Sequence, residues 1–115
     1  MIAITQPVYL ATGATDLRKS IDGLALIVQH QFALDPFSPC LFAFCNGKKD
    51  KIKILSWDHN GFWLHYKRLE KGRFPWPEHP QGPLSIDRRR MQWLLDGLPL
   101  HQPLAHRPVM ERELV

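Results

Sequence analysis

The chain has 115 residues, 44% hydrophobic and 23% charged, with a formal net charge of +4. That length supports one domain with one core and excludes two ordinary ones, and the composition excludes a chain disordered throughout. No apolar run approaches the length of a bilayer span and the N-terminus lacks a signal peptide's charged start and apolar block, so a cytoplasmic protein with no membrane partner is expected.

Residues 2–11 are apolar around Pro7. Val8 to Ala11 reads as a short strand and residues 2–6 as a lead-in or edge strand, because proline confines a strand to an edge. Thr12-Gly13-Ala14-Thr15 is a turn, and Thr15 or Asp16 can cap the helix that follows. From Asp16 to about Phe32, Leu17, Ile21, Leu24, Ala25 and Val28 recur at the spacing of one helical face. This main helix is expected to lie over a sheet face made of Ile52, Ile54 and Leu64. Gly23 interrupts the pattern, which predicts close backbone contact with the sheet. Residues 35–39, Asp-Pro-Phe-Ser-Pro, end the helix.

Residues 40–77 read as a three-stranded antiparallel meander and its exit. Strands are predicted over 40–45, 51–58 and 62–69, with left-handed turn positions supplied by Asn46-Gly47 and a second turn at Asp58-His59-Asn60-Gly61. Period-two alternation sets Lys51, Lys53 and Trp57 on one side of the middle strand, and Trp63, His65 and Lys67 on one side of the third. These are read together as a single mixed face of lysines and tryptophans, the other face being core. From Lys48 to Arg73 there are eight basic and three acidic residues, a balance of +5, against seven basic and eight acidic elsewhere, a balance of −1. A concentration of that kind is what a phosphate-binding surface requires; a solvated strand face is the plain alternative.

Residues 70–83, rich in proline, glycine and aromatics, are expected to form a loop pinned to the sheet edge by Phe74 and Trp76. A second, shorter helix starts at Ser85, presents Met91, Leu94, Leu95 and Leu98 on one face and stops at Gly97 and Pro99. Arg88, Arg89 and Arg90 fall in its first turn, a placement that opposes the helix dipole and makes sense beside a bound anion. The proline- and histidine-rich residues 101–115 read as a loose tail beyond a single domain of residues 1–100. The fold class is therefore α+β, an antiparallel three- to four-stranded meander packed by one main helix.

Spacing argues against a metal or cofactor. There is no Cys-x-x-Cys, no His-Glu-x-x-His and no phosphate-loop glycine pattern, and His101 and His106 stand apart in the tail. Cys40 and Cys45 are five apart on opposite faces of a strand and are expected to stay reduced.

Several runs carry a resemblance. Residues 15–25, Thr-Asp-Leu-Arg-Lys-Ser-Ile-Asp-Gly-Leu-Ala, are followed by Leu41-Phe42-Ala43-Phe44, Lys53-Ile54-Leu55, Trp57-Asp58 and Gly61-Phe62. Then come residues 66–77, Tyr-Lys-Arg-Leu-Glu-Lys-Gly-Arg-Phe-Pro-Trp-Pro, and Trp93-Leu94-Leu95-Asp96-Gly97. Together, over nearly the whole chain, they resemble the TnpB family of small accessory proteins encoded in bacterial insertion sequences of the IS66 class. The chain departs from that pattern at Pro39-Cys40, where a glycine often stands, and in its basic run Arg88 to Arg90. The resemblance implies a non-enzymatic protein that works in transposition beside a separate, larger transposase carrying the catalytic carboxylates.

The residues and the resemblance together yield an expectation of non-catalytic nucleic-acid binding, with insertion-sequence DNA and the transposase as partners and no cofactor. The candidate contact residues are Lys51, Lys53, Trp57, Trp63, Lys67, Arg68, Lys71, Arg73, Arg88 and Arg89. A transposase adaptor anchored by Trp57, Trp63 and Trp76 is one alternative. A small basic nuclease using His65 or His59 with an arginine is the other.

Overall fold

The computed structural model describes residues 6–78 and 83–98. Within them the fold is α+β, built on a five-stranded sheet with strand order β4-β3-β2-β1-β5. In chain order the elements are β1 (Val8–Ala11), α1 (Ile21–Leu26) running into a π-helical turn (Ile27–Gln31), β2 (Leu41–Cys45), β3 (Lys51–Asp58), β4 (Gly61–Arg68), β5 (Pro83–Ile86) and α2 (Arg88–Leu95). Expectations placed on residues 2–5, 79–82 and 99–115 lie outside the described residues.

The meander β2-β3-β4 is antiparallel as its turns predict, but it is only part of a mixed sheet. β1 runs parallel to β2, and β5 lies antiparallel on the far side of β1. The connection from β1 to β2 carries α1, the kind of crossover that parallel neighbours require. β1 is therefore interior rather than an edge strand. Pro7 stands just before it and gives its carbonyl to the Leu41 N–H at 2.9 Å, so its missing N–H interrupts no ladder. Pro83–Ile86, read from sequence as the end of a loop and the start of a helix, instead pairs with β1 from Val8↔Ile86 to Ala11↔Pro83. Its first residue is proline, a position that strands tolerate.

α2 consequently starts at Arg88, where the Asp87 carboxylate accepts the Arg90 N–H at 2.8 Å. It stops as expected: Gly97 takes φ +83°, Gly97 N–H donates to Leu94 and Leu98 N–H to Trp93, the paired closure of a glycine-terminated helix.

The first helix is shorter than its apolar stripe suggests. Asp16 folds the preceding residues into a turn instead of capping a helix, accepting the Arg18 N–H on its carboxylate and the Lys19 N–H on its carbonyl. Helix begins only at Ile21 and widens into the π-helical turn, where Phe32 N–H reaches back to Ile27. Gly23 is not pressed on the sheet: a Cβ there meets the Lys19 side chain, at 3.0 Å from its Cβ. The left-handed position of the first turn is Lys49 rather than Asn46 or Gly47, and that of the second is His59. Asn46 holds the β2–β3 turn with its side chain, accepting the Asp50 and Lys51 N–H groups.

Two buried clusters sandwich the sheet, and of the face expected under α1 only Leu64 lies there, Ile52 and Ile54 being on the other side. Leu24, Ile27 and Val28 join Phe42, Phe44 and Leu55, with Leu17, Ile21 and Leu64 against them. Ile52 and Ile54 lie on the other face with Met91, Leu94 and Leu95 of α2. Phe74 and Trp76 belong to that second cluster, buried in the core rather than pinned to an edge, and the Trp76 indole donates to the Ala11 carbonyl at 2.8 Å. Cys45 is in the second cluster and Cys40 packs against the first; both are free thiols.

Candidate nucleic-acid interface

The two-residue turn between β3 and β4 decides which side chains share a face. It pairs Asp58 with Gly61 and so sets Trp57 opposite Phe62, Lys53 opposite Tyr66 and Lys51 opposite Arg68. Directly opposed residues point to the same side. Trp63, His65 and Lys67 therefore stand on the α2 face with Ser56, Ile54 and Ile52, while Lys51, Lys53 and Trp57 stand on the α1 face. The single mixed face expected from alternation does not exist.

Two of the mid-strand lysines are occupied. The Lys53 ammonium donates to the carbonyls of Leu17 at 2.6 Å and Lys19 at 3.1 Å, clasping the turn before α1, and lies 5.9 Å from the centre of the Tyr66 ring. On the opposite face the Lys67 ammonium donates to the Leu95 carbonyl at 3.0 Å, at the C-terminal end of α2 where the helix dipole favours a cation. Trp57 is packed among Phe37 and Phe62, with ring centroids at 4.9 and 5.0 Å. None of these three is a bare contact surface.

The remaining charge converges at one end of the sheet. Leu69 N–H donates to the Asp50 carbonyl at 2.7 Å and Phe74 N–H to the Lys49 carbonyl at 2.6 Å, so the exit from β4 runs beside the β2–β3 turn. This juxtaposition gathers Lys48, Lys49, Lys51, Arg68, Lys71 and Arg73 into a basic end. Arg68 is paired with Glu70 at 2.8 Å and Lys49 approaches Glu78 at 3.6 Å. Among the described residues the side chains of Lys48, Lys51, Lys71 and Arg73 make no ion pair. The Asn46 amide, donating to the Asp50 carboxylate at 2.7 Å, holds Asp50 below the ordinary carboxylate range, so the one acid inside the turn is also committed locally.

Beside this end, on the α1 face, a groove of about 630 Å³ runs between the loop of residues 15–18 and the meander, lined by Arg18, Asn46, Lys51, Lys53 and Tyr66 among others. Arg18 forks onto the Asp16 carboxylate, and that hydrogen bond lowers the Asp16 pKa to about 2 and raises that of Arg18. On the α2 face a second groove of about 680 Å³ lies between β4 and α2, lined by Trp63, His65, Lys67, Gln92, Leu95 and Asp96 over Ile52 and Ile54. His65 was a candidate only for the nuclease alternative, and Tyr66, Gln92 and Asp96 were not among the candidate contact residues. The first two were within reach, because the turn Asp58 to Gly61 carries the register across to them; the helix residues arrive only through the packing of α2.

Arg88 and Arg89 follow β5, at the sheet edge opposite β4. At the start of α2 the Asp87 carboxylate accepts the Arg90 N–H, and these arginines lie apart from the basic end in the chain's fold. His59 occupies the β3–β4 turn while His65 stacks on Trp63 at 6.0 Å, and among the described residues no group of three or more His, Cys, Asp or Glu side chains is placed to hold a metal ion. No helix among the described residues is long and apolar enough to cross a membrane.

Comparison with known proteins gives a consistent family. The model of a family described as IS66 Orf2 like protein matches residues 6–105. The uncharacterized protein y4hO of Sinorhizobium fredii is 36% identical over 96 residues, covering 84% of each chain. A second protein of that organism, the uncharacterized y4jC, is 30% identical over 91 residues, covering 79% of this chain and 78% of its own. No solved structure matches.

Proposed function

The chain belongs to the IS66 Orf2-like family, and from that premise we propose that it is a non-catalytic accessory protein of transposition that binds nucleic acid through the basic end of its meander. One observation carries the reading: the hydrogen bonds from Leu69 to Asp50 and from Phe74 to Lys49 bring two separate basic stretches together. Unneutralised lysines and arginines at one pole attract a polyanion and release its counterions on contact. Insertion-sequence DNA is the partner this setting favours, beside a separate transposase.

The test is salt-dependent binding of the full chain to a labelled DNA. Affinity should fall steeply with salt, and Lys71→Ala or Arg73→Ala should each reduce the slope of log affinity against log salt by about 1. Lys53→Met and Lys67→Met should leave the slope unchanged, because their ammonium groups serve carbonyls of the fold. A slope unaffected by Lys71 and Arg73 overturns the assignment.

The transposase-adaptor reading has one observation of its own. Phe37 is 56% exposed and joins Trp57 and Phe62 in an aromatic cluster on the α1 face, the side-chain type that anchors protein interfaces. Under that reading Phe37→Ala abolishes capture of the transposase while DNA binding by the chain is absent at every salt concentration.

A further inference from the structure

Trp63 is 58% exposed on an edge strand, yet it is not free to move. Its indole N–H donates to the Asp58 carboxylate at 3.1 Å and its ring lies nearly parallel to that of His65, at 17° and 6.0 Å. An aromatic surface held in place and left open to solvent has already lost the freedom that a partner would otherwise have to remove. It forms one wall of the groove whose floor is Ile52, Ile54 and Leu95 and whose far side is Gln92 and Asp96. There the Gln92 amide donates to the Asp96 carboxylate at 3.3 Å, leaving the amide oxygen and the second carboxylate oxygen to accept. Lys67 stands on the same face, toward the basic end.

Resting on the nucleic-acid reading above, we infer that this groove takes one unpaired nucleobase, stacked against Trp63 and held at its amino edge by Gln92 and Asp96, while the phosphates lead to the basic end. The chemistry selects this occupant. A base is flat, apolar on its faces and polar at its edge, and it comes attached to the negative charge that the basic end, with Lys71 and Arg73, attracts. An aliphatic side chain of a protein partner fits the floor but offers no donor to the Gln92 and Asp96 oxygens. Duplex DNA keeps its bases stacked inside the helix and offers none to the groove. Trp57, packed among Phe37 and Phe62, has no comparable opening. The protein thus contacts DNA where strands are opened, not along intact duplex alone.

The experiment compares three labelled oligonucleotides of equal length at one salt concentration: a single strand, the corresponding duplex, and a single strand of abasic sites with the same phosphates. The wild-type chain should bind the single strand more tightly than the other two. Trp63→Ala should weaken single-strand binding by about 5- to 150-fold, as loss of one stacked base does, while leaving duplex binding, abasic-strand binding and the salt slope in place. Trp63→Phe should recover most of the loss. Equal wild-type affinity for the base-bearing and abasic strands overturns the inference and leaves the basic end intact as a phosphate site. Binding to none of the three overturns both. The abasic comparison uses the wild-type chain alone, so it decides the question even where Trp63→Ala disturbs β4.

Discussion

The middle of the β3–β4 pair and its basic end are built from the same residue types, and the lysines in them have opposite fates. Lys53 and Lys67 sit opposite one another's neighbours at mid-strand, where the turn before α1 and the end of α2 present carbonyls to them. Lys48, Lys51, Lys71 and Arg73 sit where two turns meet and no helix end covers them. A cation that finds backbone acceptors becomes part of the fold; one that finds only other cations is left for a partner. Charge counting treats all of them alike, and the structure separates them by what lies within hydrogen-bond reach.

The strongest way to test that division is to compare stability. The covered middle should be costly to disturb: Leu24→Ala, at a fully buried position under the α1 face, should cost about 2–5 kcal/mol in denaturant unfolding. A change below about 1 kcal/mol would place the helix elsewhere. Lys53→Met, which removes a charge-assisted bond to two carbonyls while keeping an apolar stem, should cost about 1.5–3 kcal/mol. At the basic end, Lys71→Ala should change stability by less than about 0.5 kcal/mol. If Lys53 and Lys71 prove equally dispensable, the distinction between structural and available lysines fails.

A further effect is silent at neutral pH. Burial pushes the Cys45 thiol up to about 12 from 9.0, so the native state should keep it protonated and unreactive to alkylation at pH 8, while denatured protein labels at both cysteines. The sign of the linked stability follows. Between pH 9 and 12 the unfolded chain releases a proton that the folded chain retains, so stability should fall with rising pH across that window and be unaffected below it. Mass spectrometry after alkylation and unfolding curves at pH 8 and pH 10.5 check the two statements; rapid native labelling at Cys45 contradicts them.

Most of the local structure was legible. The strand over 8–11, the meander over 41–68 and the glycine stop of α2 follow from alternation, turn residues and helix-end chemistry, which act within a few positions. The length of α1 was not, because Asp16 chose its own turn over a helix cap. Nor was β5: a four-residue segment with proline at its head becomes a strand only by pairing with β1, a partner far away in the chain.

The amino-acid sequence by itself determined which residues alternate, where the chain turns and that positive charge gathers between residues 48 and 73. Tertiary structure alone decided which helix covers which face, which lysines are consumed by carbonyls, and that the β2–β3 turn and the β4 exit form one basic end. The reason is physical. Alternation defines two sides of a strand without naming either as inner, and here both sides of the sheet are covered. Only the long-range placement of α1 and α2 can assign them, and with them the acceptors that each cation meets.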